Sequence, residues 1–211
     1  YRRLRGNLTI SASTTRALST AVGGDLRVGG NWTNSGTFTA NSRAVYFDGS
    51  AGQTINATAS FPYLFIANTS ANVTANTAVT VTVSLTIDAT ARLDMGANAL
   101  TITGATSAIN GALRSALVST TPITGASATT LTFNNGGSYE SNAAMAAVAL
   151  SGLGIPVATW NSGSTCAVIG LTNPTAGGWF GAGLTQTFSN FTWNCTGQTT
   201  APNMSGATIT C

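Results

Sequence analysis

His and Lys are absent from the sequence, and charged residues make up only 6% of its 211 positions, against about 25% in an ordinary soluble domain. Without His and Lys, the commonest general bases and the amines that form Schiff bases are missing. The sequence therefore disfavours catalysis, and we predict a protein that is not an enzyme and uses no cofactor.

The eight basic residues are all Arg, and three of them stand within the first five positions, at Arg2, Arg3 and Arg5. No charged residue follows Glu140. A nucleic-acid-binding protein needs basic side chains spread along a face to neutralise phosphates, so we exclude nucleic acid as a partner. The Arg cluster has two interpretations. It is either a solvated terminus, or a group that caps one end of the fold or meets a neighbouring subunit.

Long apolar runs are also missing, because no stretch reaches the ~20 residues of a membrane helix, and we expect no transmembrane segment. The three cysteines, Cys166, Cys195 and Cys211, have spacings that match no metal motif, and no His could join them. The chain opens at Tyr1 rather than Met, which suggests removal of a signal or pro-segment. Few charges and much Thr, Ser, Asn and Gly favour a secreted or cell-surface protein.

Alternation with a period of two residues dominates what is present. Hydrophobic residues make up 43% of the chain, enough for a packed core. From Val79 to Leu93 every second residue is apolar and those between are polar, as in a strand with one buried face. Helical spacing is nearly absent, and we expect at most a turn or two of helix near residues 142–150.

A short apolar–x–apolar unit recurs along the first half of the chain, with Gly and Asn turn residues between successive copies. The units are Leu8/Ile10, Leu26/Val28, Val45/Phe47, Leu64/Ile66, Leu85/Ile87 and Leu100/Ile102. Their near-constant period of about 20 residues is typical of stacked solenoid coils. The sequence thus predicts an all-β, single-stranded, right-handed parallel β-solenoid (β-helix), regular over residues 1–120 and continued by a less regular, decorated part over residues 121–211.

The alternative fold is an antiparallel, pilin-like β-sandwich, which alternates in the same way. Asn-Gly and Asp-Gly pairs are hairpin signals that favour it, but the strands of a sandwich recur at a much shorter spacing than these units. The solenoid makes a specific claim about the interior, which one continuous set of residues should line. These are Leu8, Leu26, Phe47, Leu64, Leu85, Ile87 and Leu100.

Two segments carry a resemblance to a known group of proteins. Residues 155–166 (IPVATWNSGSTC) and 186–195 (QTFSNFTWNC) resemble a module of repeat-rich secreted surface proteins of the Bacteroidetes type, and residues 30–38 (GNWTNSGTF) resemble repeats found beside it. The resemblance implies export and a role at the cell surface, without a chemical activity.

An exported protein favours an oxidised pair of cysteines. Cys166 and Cys195 lie in the two Trp-Asn segments, which stacked coils would bring side by side, so we expect a disulfide between them. Cys211 is then left to pair with a second subunit or to stay a buried thiol. The alternative is three buried free thiols, since Cys packs as a small hydrophobe.

Asparagine sequons are the candidate modification sites. The chain holds eight Asn-x-Ser/Thr motifs, a slight excess over chance, and covalent glycans would suit a surface so poor in charge. The candidate residues are Asn7, Asn31, Asn56, Asn68, Asn72, Asn190, Asn194 and Asn203.

One pair of carboxylates has the arrangement of a candidate catalytic site. Asp48 and Asp88 each follow a repeat unit, so they should occupy the same outward position two coils apart, at about 10 Å. That separation is near the upper limit for an inverting glycosidase. We interpret both instead as solvated surface charges.

Three functions follow from these patterns. The first is an extracellular structural protein, the subunit of a self-assembling surface fibre that polymerises head to tail with itself as partner. The second is an adhesin module that binds surface or matrix glycans through Trp32, Trp179 and Phe180, and a remote third is a polysaccharide lyase or hydrolase. The candidate residues for subunit contact are Arg2, Arg3, Arg5, Leu8, Ile10, Thr208 and Ile209.

Overall fold

The computed structural model describes residues 1–57, 59–104, 106–144, 154–172, 183–199 and 209–211. All regular elements in this part of the chain are β-strands, most of them three or four residues long. They are β1 Arg2–Leu4, β2 Leu8–Ile10, β3 Thr15–Ala17, β4 Leu26–Val28, β5 Trp32–Asn34, β6 Thr37–Thr39, β7 Ala44–Phe47, β8 Gln53–Asn56, β9 Ala59–Ile66, β10 Val73–Ala75, β11 Val79–Ile87, β12 Arg92–Asp94, β13 Leu100–Ile102, β14 Ser107–Ile109, β15 Ala112–Ser115, β16 Ile123–Thr124, β17 Leu131–Phe133, β18 Ser138–Ser141, β19 Thr159–Trp160, β20 Thr165–Val168 and β21 Asn190–Trp193.

The strands stack in parallel, which defines a β-solenoid. One sheet runs in the order β1-β4-β7-β9-β11-β14-β17-β19, and a second runs β2-β5-β8-β10-β12-β15-β18-β20-β21. A third face is formed by the β3–β6 pair, by the first halves of β9 and β11, and by β13 and β16. Every strand pair between described residues is parallel, so the antiparallel sandwich is excluded and the predicted solenoid is confirmed.

The register confirms one part of the predicted repeat and corrects another. Leu26, Val45, Leu64 and Leu85 do lie in one column of the first sheet. Leu8 instead pairs with Trp32 in the second sheet, so the first step of the predicted repeat joined two different faces. In the same way Leu100 pairs with Val79 on the third face rather than continuing from Leu85. The motif does not mark one fixed position per coil, because each coil carries apolar strands on three faces.

The hydrophobic core is one continuous cluster inside the coils, in which apolar side chains of successive coils stack in columns. Leu26, Phe47, Leu64, Leu85, Ile87 and Leu100 are buried in one cluster, and Leu8 packs against that cluster half-buried. The predicted continuous interior is therefore confirmed. It arises because alternate residues of every strand point inward, and stacking then places apolar side chains directly above one another.

Asparagine side chains reinforce one corner of the solenoid. Asn134 donates its amide to Asn110 Oδ1 at 2.9 Å, and Asn161 donates to Asn134 Oδ1 at the same distance. Asn110 in turn donates to the Ile87 carbonyl at 3.3 Å. The three residues follow β14, β17 and β19 at equivalent turns, so each coil is tied to the next by one side-chain bond in addition to its backbone ladder.

Close packing of coil on coil requires glycine at one corner of the third face. A Cβ atom placed on Gly104 would lie 1.9 Å from the Val83 carbonyl oxygen, inside any allowed contact. Gly104 is buried, and the backbone of β11 passes directly over it. Only a residue without a side chain lets the two coils approach this closely.

The solenoid continues past residue 120. Strands β17 and β19 extend the first sheet, and β18, β20 and β21 extend the second. The residues of the short helix expected near 142–150, from 145 onward, lie outside the described residues. No helix long and apolar enough to cross a membrane occurs in the described ranges.

Candidate functional site

Among the described residues, the first coil, formed by β1, β2 and β3, has a neighbouring coil on one side only, where its strands pair with β4, β5 and β6. Arg2 donates its amide to the Asp25 carbonyl at 2.8 Å, and the Leu4 carbonyl accepts from Gly29 at 2.7 Å, so both residues bond toward β4. Backbone groups alternate in direction along a parallel strand. Arg3, between them, therefore turns its own amide and carbonyl to the open side.

Two arginines of this coil stand at positions that are apolar in the next coil. Arg2 pairs with Leu26, which heads the column of Val45, Leu64 and Leu85. On the third face Arg16 pairs with Phe38, which packs against the core. Both arginines are exposed. A further coil stacked on this edge would have to bury both guanidinium groups.

These side chains surround a cavity of about 790 Å³ at the end of the solenoid. Its floor is apolar and comes from Leu4, Leu8, Leu18, Leu26 and Phe38. Its rim carries the arginines Arg2, Arg3 and Arg16, together with the strongly exposed Tyr1 (73%) and Val22 (96%). The cavity thus combines an apolar bottom with a cationic rim.

An ion-pair and ring stack runs along the outside of the first sheet. Asp48 accepts from Arg27 at 3.2 Å and forms an ion pair with Arg3 at 3.4 Å, and its side chain is only 9% exposed. The Arg27 guanidinium also lies 4.4 Å from the centre of the Tyr46 ring. Tyr46 in turn stacks on Phe65 at 4.4 Å, nearly face to face. The pKa of Tyr46 is raised, chiefly by burial and further by Asp25, with Arg27 acting in the opposite direction.

A second ionic network crosses the outside of the other sheet. Glu140 accepts from Arg114 and from Arg92, each at 2.8 Å, and Arg114 also lies 3.9 Å from Asp94. The Arg92–Glu140 pair spans two coils, since their strands β12 and β18 both flank β15. Four of the thirteen charged residues therefore neutralise one another on this face.

The candidate carboxylate pair lies where the sequence placed it. The amide of Ala67 bonds to the Phe47 carbonyl and that of Asp88 to the Ile66 carbonyl, so Asp48, Ala67 and Asp88 occupy one corner in successive coils. Asp48, however, is held by two arginines. It is therefore a paired surface carboxylate rather than the solvated charge that was expected.

The disulfide expected between Cys166 and Cys195 is corrected by the structure, where all three cysteines are free. Cys166 pairs with Phe191 inside the strand ladder, whereas Cys195 lies past the end of β21 and donates its thiol to the Val168 carbonyl at 3.4 Å. The matching failed because Trp160 lies in the first sheet and Trp193 in the second. Burial raises the pKa of the Cys166 thiol, and burial also raises that of Cys195. Cys211 is exposed.

The candidate glycosylation residues differ in accessibility. Asn7, Asn72, Asn190 and Asn194 are exposed or half-exposed at the surface, and Asn31 and Asn56 are half-buried. Asn68 is 1% exposed, donates to Gln53 Oε1 at 3.1 Å and caps the amides of Ser70 and Ala71, so it is not available for a glycan. Asn203 lies outside the described residues.

The residues predicted to contact a neighbouring subunit also differ in accessibility. Arg2, Arg3 and Arg5 are exposed at the first coil, and Leu8 is half-buried there. Ile10 is 1% exposed and points into the core, so it is not accessible to a neighbouring subunit. At the other end Ile209 packs half-buried against the core, and Thr208 is outside the described residues.

Three aromatic residues were predicted to bind glycans. Trp32 is buried and cannot contact a glycan, and the other two lie outside the described residues. Trp32 is 1% exposed and packs edge-on against Phe38, with ring centres 4.8 Å apart. Trp179 and Phe180 lie outside the described residues.

Sequence reasoning missed Arg16 and the asparagine corner. Arg16 lies one coil before Phe38, at a spacing close to that of the other stacked pairs, but β3 has no apolar–x–apolar unit to mark it. Asn110, Asn134 and Asn161 recur once per coil in the same way. This recurrence is visible in the sequence, but Asn residues were interpreted only as turn formers and not as side chains that bond from coil to coil.

The fold alone defines the class of this protein, a parallel β-solenoid with an open, arginine-lined first coil. No family model, no curated protein and no solved structure matches the chain. Its function is therefore inferred from its own residues and their geometry.

Proposed function

We propose that this chain is an extracellular structural protein, a rigid β-solenoid module displayed at a cell surface. The observation that carries the proposal is the single apolar column system that runs through all described coils, beneath an outer surface built largely of Thr, Ser and Asn. Such a body is stiff because each coil contacts only its neighbours through continuous ladders. A composition poor in charge and rich in Thr, Ser, Asn and Gly favours the same location.

Surface display is tested by labelling intact cells of the source organism with an antibody against the folded chain, followed by protease treatment. We expect labelling that protease removes. Labelling that appears only after lysis would contradict the proposal, and an antibody against a cytoplasmic protein serves as the control for intact cells.

Head-to-tail assembly into a fibre is the form of this function that the sequence predicts. The open backbone edge at Arg3 supports it, because unpaired strand edges template further strands. Against it, a joint would cover Arg2 and Arg16, and the described ranges 154–172, 183–199 and 209–211 contain no acid to pair with them. Burying unpaired charges is costly, so a fibre requires its joint to leave both arginines hydrated.

Light scattering and negative-stain imaging at rising protein concentration test the fibre directly, and an Arg2→Leu/Arg16→Val variant sharpens the result. Filaments of the unchanged protein would establish assembly. A monomeric protein whose variant forms filaments would show that the arginines block stacking, and the fibre proposal would then be withdrawn in favour of a single displayed module.

An adhesin module is the second candidate, and the outward stack of Arg27, Tyr46 and Phe65 favours it. Both rings are half-buried, so part of each ring faces solvent on an otherwise small-residue surface. A glycan array probed with the purified chain tests this role. Binding that is lost in Tyr46→Ala but kept in Tyr63→Ala would support it, and an array without bound glycans would remove it.

Covalent glycans remain a separate proposal for the surface sequon residues Asn7, Asn72, Asn190 and Asn194. The mass of the protein isolated from its own cells decides it. A mass that falls on enzymatic deglycosylation is expected, and a mass that the enzyme leaves unchanged would exclude glycans.

A further inference from the structure

The Tyr46–Phe65 ring stack on the outside of the first sheet has two different ends. The two rings lie 4.4 Å apart with 16° between their planes, and their strands are neighbours in the sheet. At one end the Arg27 guanidinium lies 4.4 Å from the centre of the Tyr46 ring. At the other end the outward column continues with Thr86 and then Ala108, which are too short to cover the outer face of Phe65. One end of the stack is therefore covered by a cation, and the other end is open.

The covered end shows how this surface holds a guanidinium group. Arg27 packs on the Tyr46 ring and at the same time donates to the Asp48 carboxylate at 3.2 Å. Stacking on a ring and pairing with a carboxylate are two interactions for which Arg is better suited than Lys. Asp48 follows Tyr46 by two residues, so both side chains leave the sheet on its outer face, side by side. A ring with a carboxylate beside it is thus a guanidinium site in this protein.

The open end has the same two components without the guanidinium. Asp88 occupies the corner of Asp48 two coils further on, with Ala67 between them. It follows Thr86 by two residues, and it lies diagonally from Phe65 at about 8 Å between Cα atoms, given the strand spacing and the rise per residue. Asp88 is half-exposed and forms no ion pair with any other described residue.

What the open end lacks is a planar cation. An apolar group would cover Phe65 but leave the Asp88 carboxylate without a partner, and an anion would be repelled by that carboxylate. An ammonium group would pair with Asp88, but it cannot stack on a ring as a planar guanidinium does. The arginines beside the stack do not fill the position, because Arg3 and Arg27 both pair with Asp48 at the covered end.

We propose that the outer face of the first sheet binds an arginine side chain of a partner protein, which stacks on Phe65 and pairs with Asp88. Thr86 and Ala108 form the floor of this arginine site. The site lies on β9, β11 and β14, which have paired strands on both sides, so further coils at either end of the solenoid would leave it accessible. The inference goes beyond the functions proposed above and does not depend on them.

A nuclear magnetic resonance titration of the chain with N-acetyl-arginine amide tests the arginine site. We expect chemical-shift changes that are confined to β9, β11 and β14 and that shrink when salt is added. The matching citrulline compound has nearly the same shape and no charge, and it should bind at least about tenfold more weakly. The matching lysine compound keeps the charge without the planar group, and it should also bind more weakly than the arginine compound.

Variants separate the two components of the site. Asp88→Asn keeps the shape of the side chain and should weaken binding about tenfold, and Phe65→Leu should weaken it about threefold. Thr86→Arg places a guanidinium of the chain itself against Phe65 and should abolish binding. Thr132→Arg is its matched control, because it adds the same charge to the same outward column two coils further on, and it should leave the affinity within about twofold. An unchanged far-UV circular dichroism spectrum checks the fold of each variant.

Three results would overturn the proposal. Equal binding of the arginine and citrulline compounds would show that the charge is not recognised. Binding of the arginine compound that persists in the folded Thr86→Arg variant would place the guanidinium on another surface. Lactose producing the shifts at β9 and β11 while the arginine compound produces none would assign this surface to a sugar, and the adhesin candidate would then stand without the arginine site.

Discussion

The same columns of inward positions hold apolar residues in the central coils and arginines in the first coil. In the centre, Leu64 and Leu85 fill the first column and are fully buried between neighbours on both sides. In the first coil the same column ends on Arg2, and the column of Phe38 ends on Arg16. The difference shows that a column position has no fixed polarity. Arg2 and Arg16 occupy positions that hold Leu26 and Phe38 in the next coil.

Thiol reactivity should show the largest difference between the interior and the ends. Cys211 is exposed, whereas Cys166 is buried and its raised pKa leaves little thiolate to react. With a thiol reagent at pH 8 we expect Cys211 to react at once and Cys195 more slowly. Cys166 should react only on global unfolding, which a typical stability of about 5–15 kcal/mol makes at least about a thousandfold slower.

The same reagent applied in denaturant, without reductant, should count three thiols. A count of one would show that Cys166 and Cys195 are oxidised to a disulfide in the isolated protein, and it would require a register between β20 and β21 different from the one described. Mass spectrometry of peptides from non-reducing digestion identifies the pair in that case.

Core truncation is the next largest effect and compares two positions of one column. Ile87→Ala should lower the free energy of unfolding by about 2–5 kcal/mol, because it leaves a cavity between packed coils. Leu4→Ala, in the same column at the open coil where Leu4 is half-exposed, should cost at most about 1 kcal/mol. Chemical denaturation followed by circular dichroism gives both values. Equal losses would contradict the difference between centre and end.

The asparagine corner should contribute an intermediate amount. Asn134→Ala removes the bond that Asn134 donates to Asn110 and the one it accepts from Asn161, and we expect a loss of about 1–2 kcal/mol. Thr132→Ala, at an outward position on the same coil, is the matched control and should change stability by less than about 0.5 kcal/mol. An Asn134 variant as stable as its control would show that the backbone ladder alone holds this corner.

The smallest effect should come from the ionic network of the central coils. Arg114→Met keeps the aliphatic part of the side chain and removes its contacts with Glu140 and Asp94. Glu140 keeps its contact with Arg92 in this variant, so we expect a loss of about 0.2–1 kcal/mol, the range of surface pairs, that shrinks when salt is added. Arg5→Met, which has no ion pair among the described residues, is the control. A loss that salt does not reduce would mean that packing, not charge, is responsible.

The class of fold could be predicted from the sequence because alternation and period are local properties of the chain. Leu26, Val45, Leu64 and Leu85 could be aligned correctly, since each coil between them has nearly the same length. The assignment of Leu8 and Leu100 failed, because a short strand looks alike on every face of the solenoid. Only the hydrogen-bond register distinguishes the faces, and that depends on turn lengths that vary from coil to coil.

The candidate site was predicted less well than the fold. The cluster of Arg2, Arg3 and Arg5 was visible in the sequence, but the role of each arginine depends on the direction in which its side chain points. Arg3 points outward to Asp48, while Arg2 occupies a core column. Arg16 joins Arg2 only through stacking on Phe38. The disulfide expectation failed for the same reason, because like segments were assumed to lie on like faces.

The direction of the hydrogen bonds between coils has a mechanical consequence. These bonds run parallel to the long axis, for example from Asn134 to Ile109 and from Asp88 to Ile66. A pulling force applied between the two ends therefore acts along these hydrogen bonds. The bonds between two coils then break a few at a time, rather than all at once by shearing. Under tension the solenoid should extend in steps, each releasing the chain of a single coil.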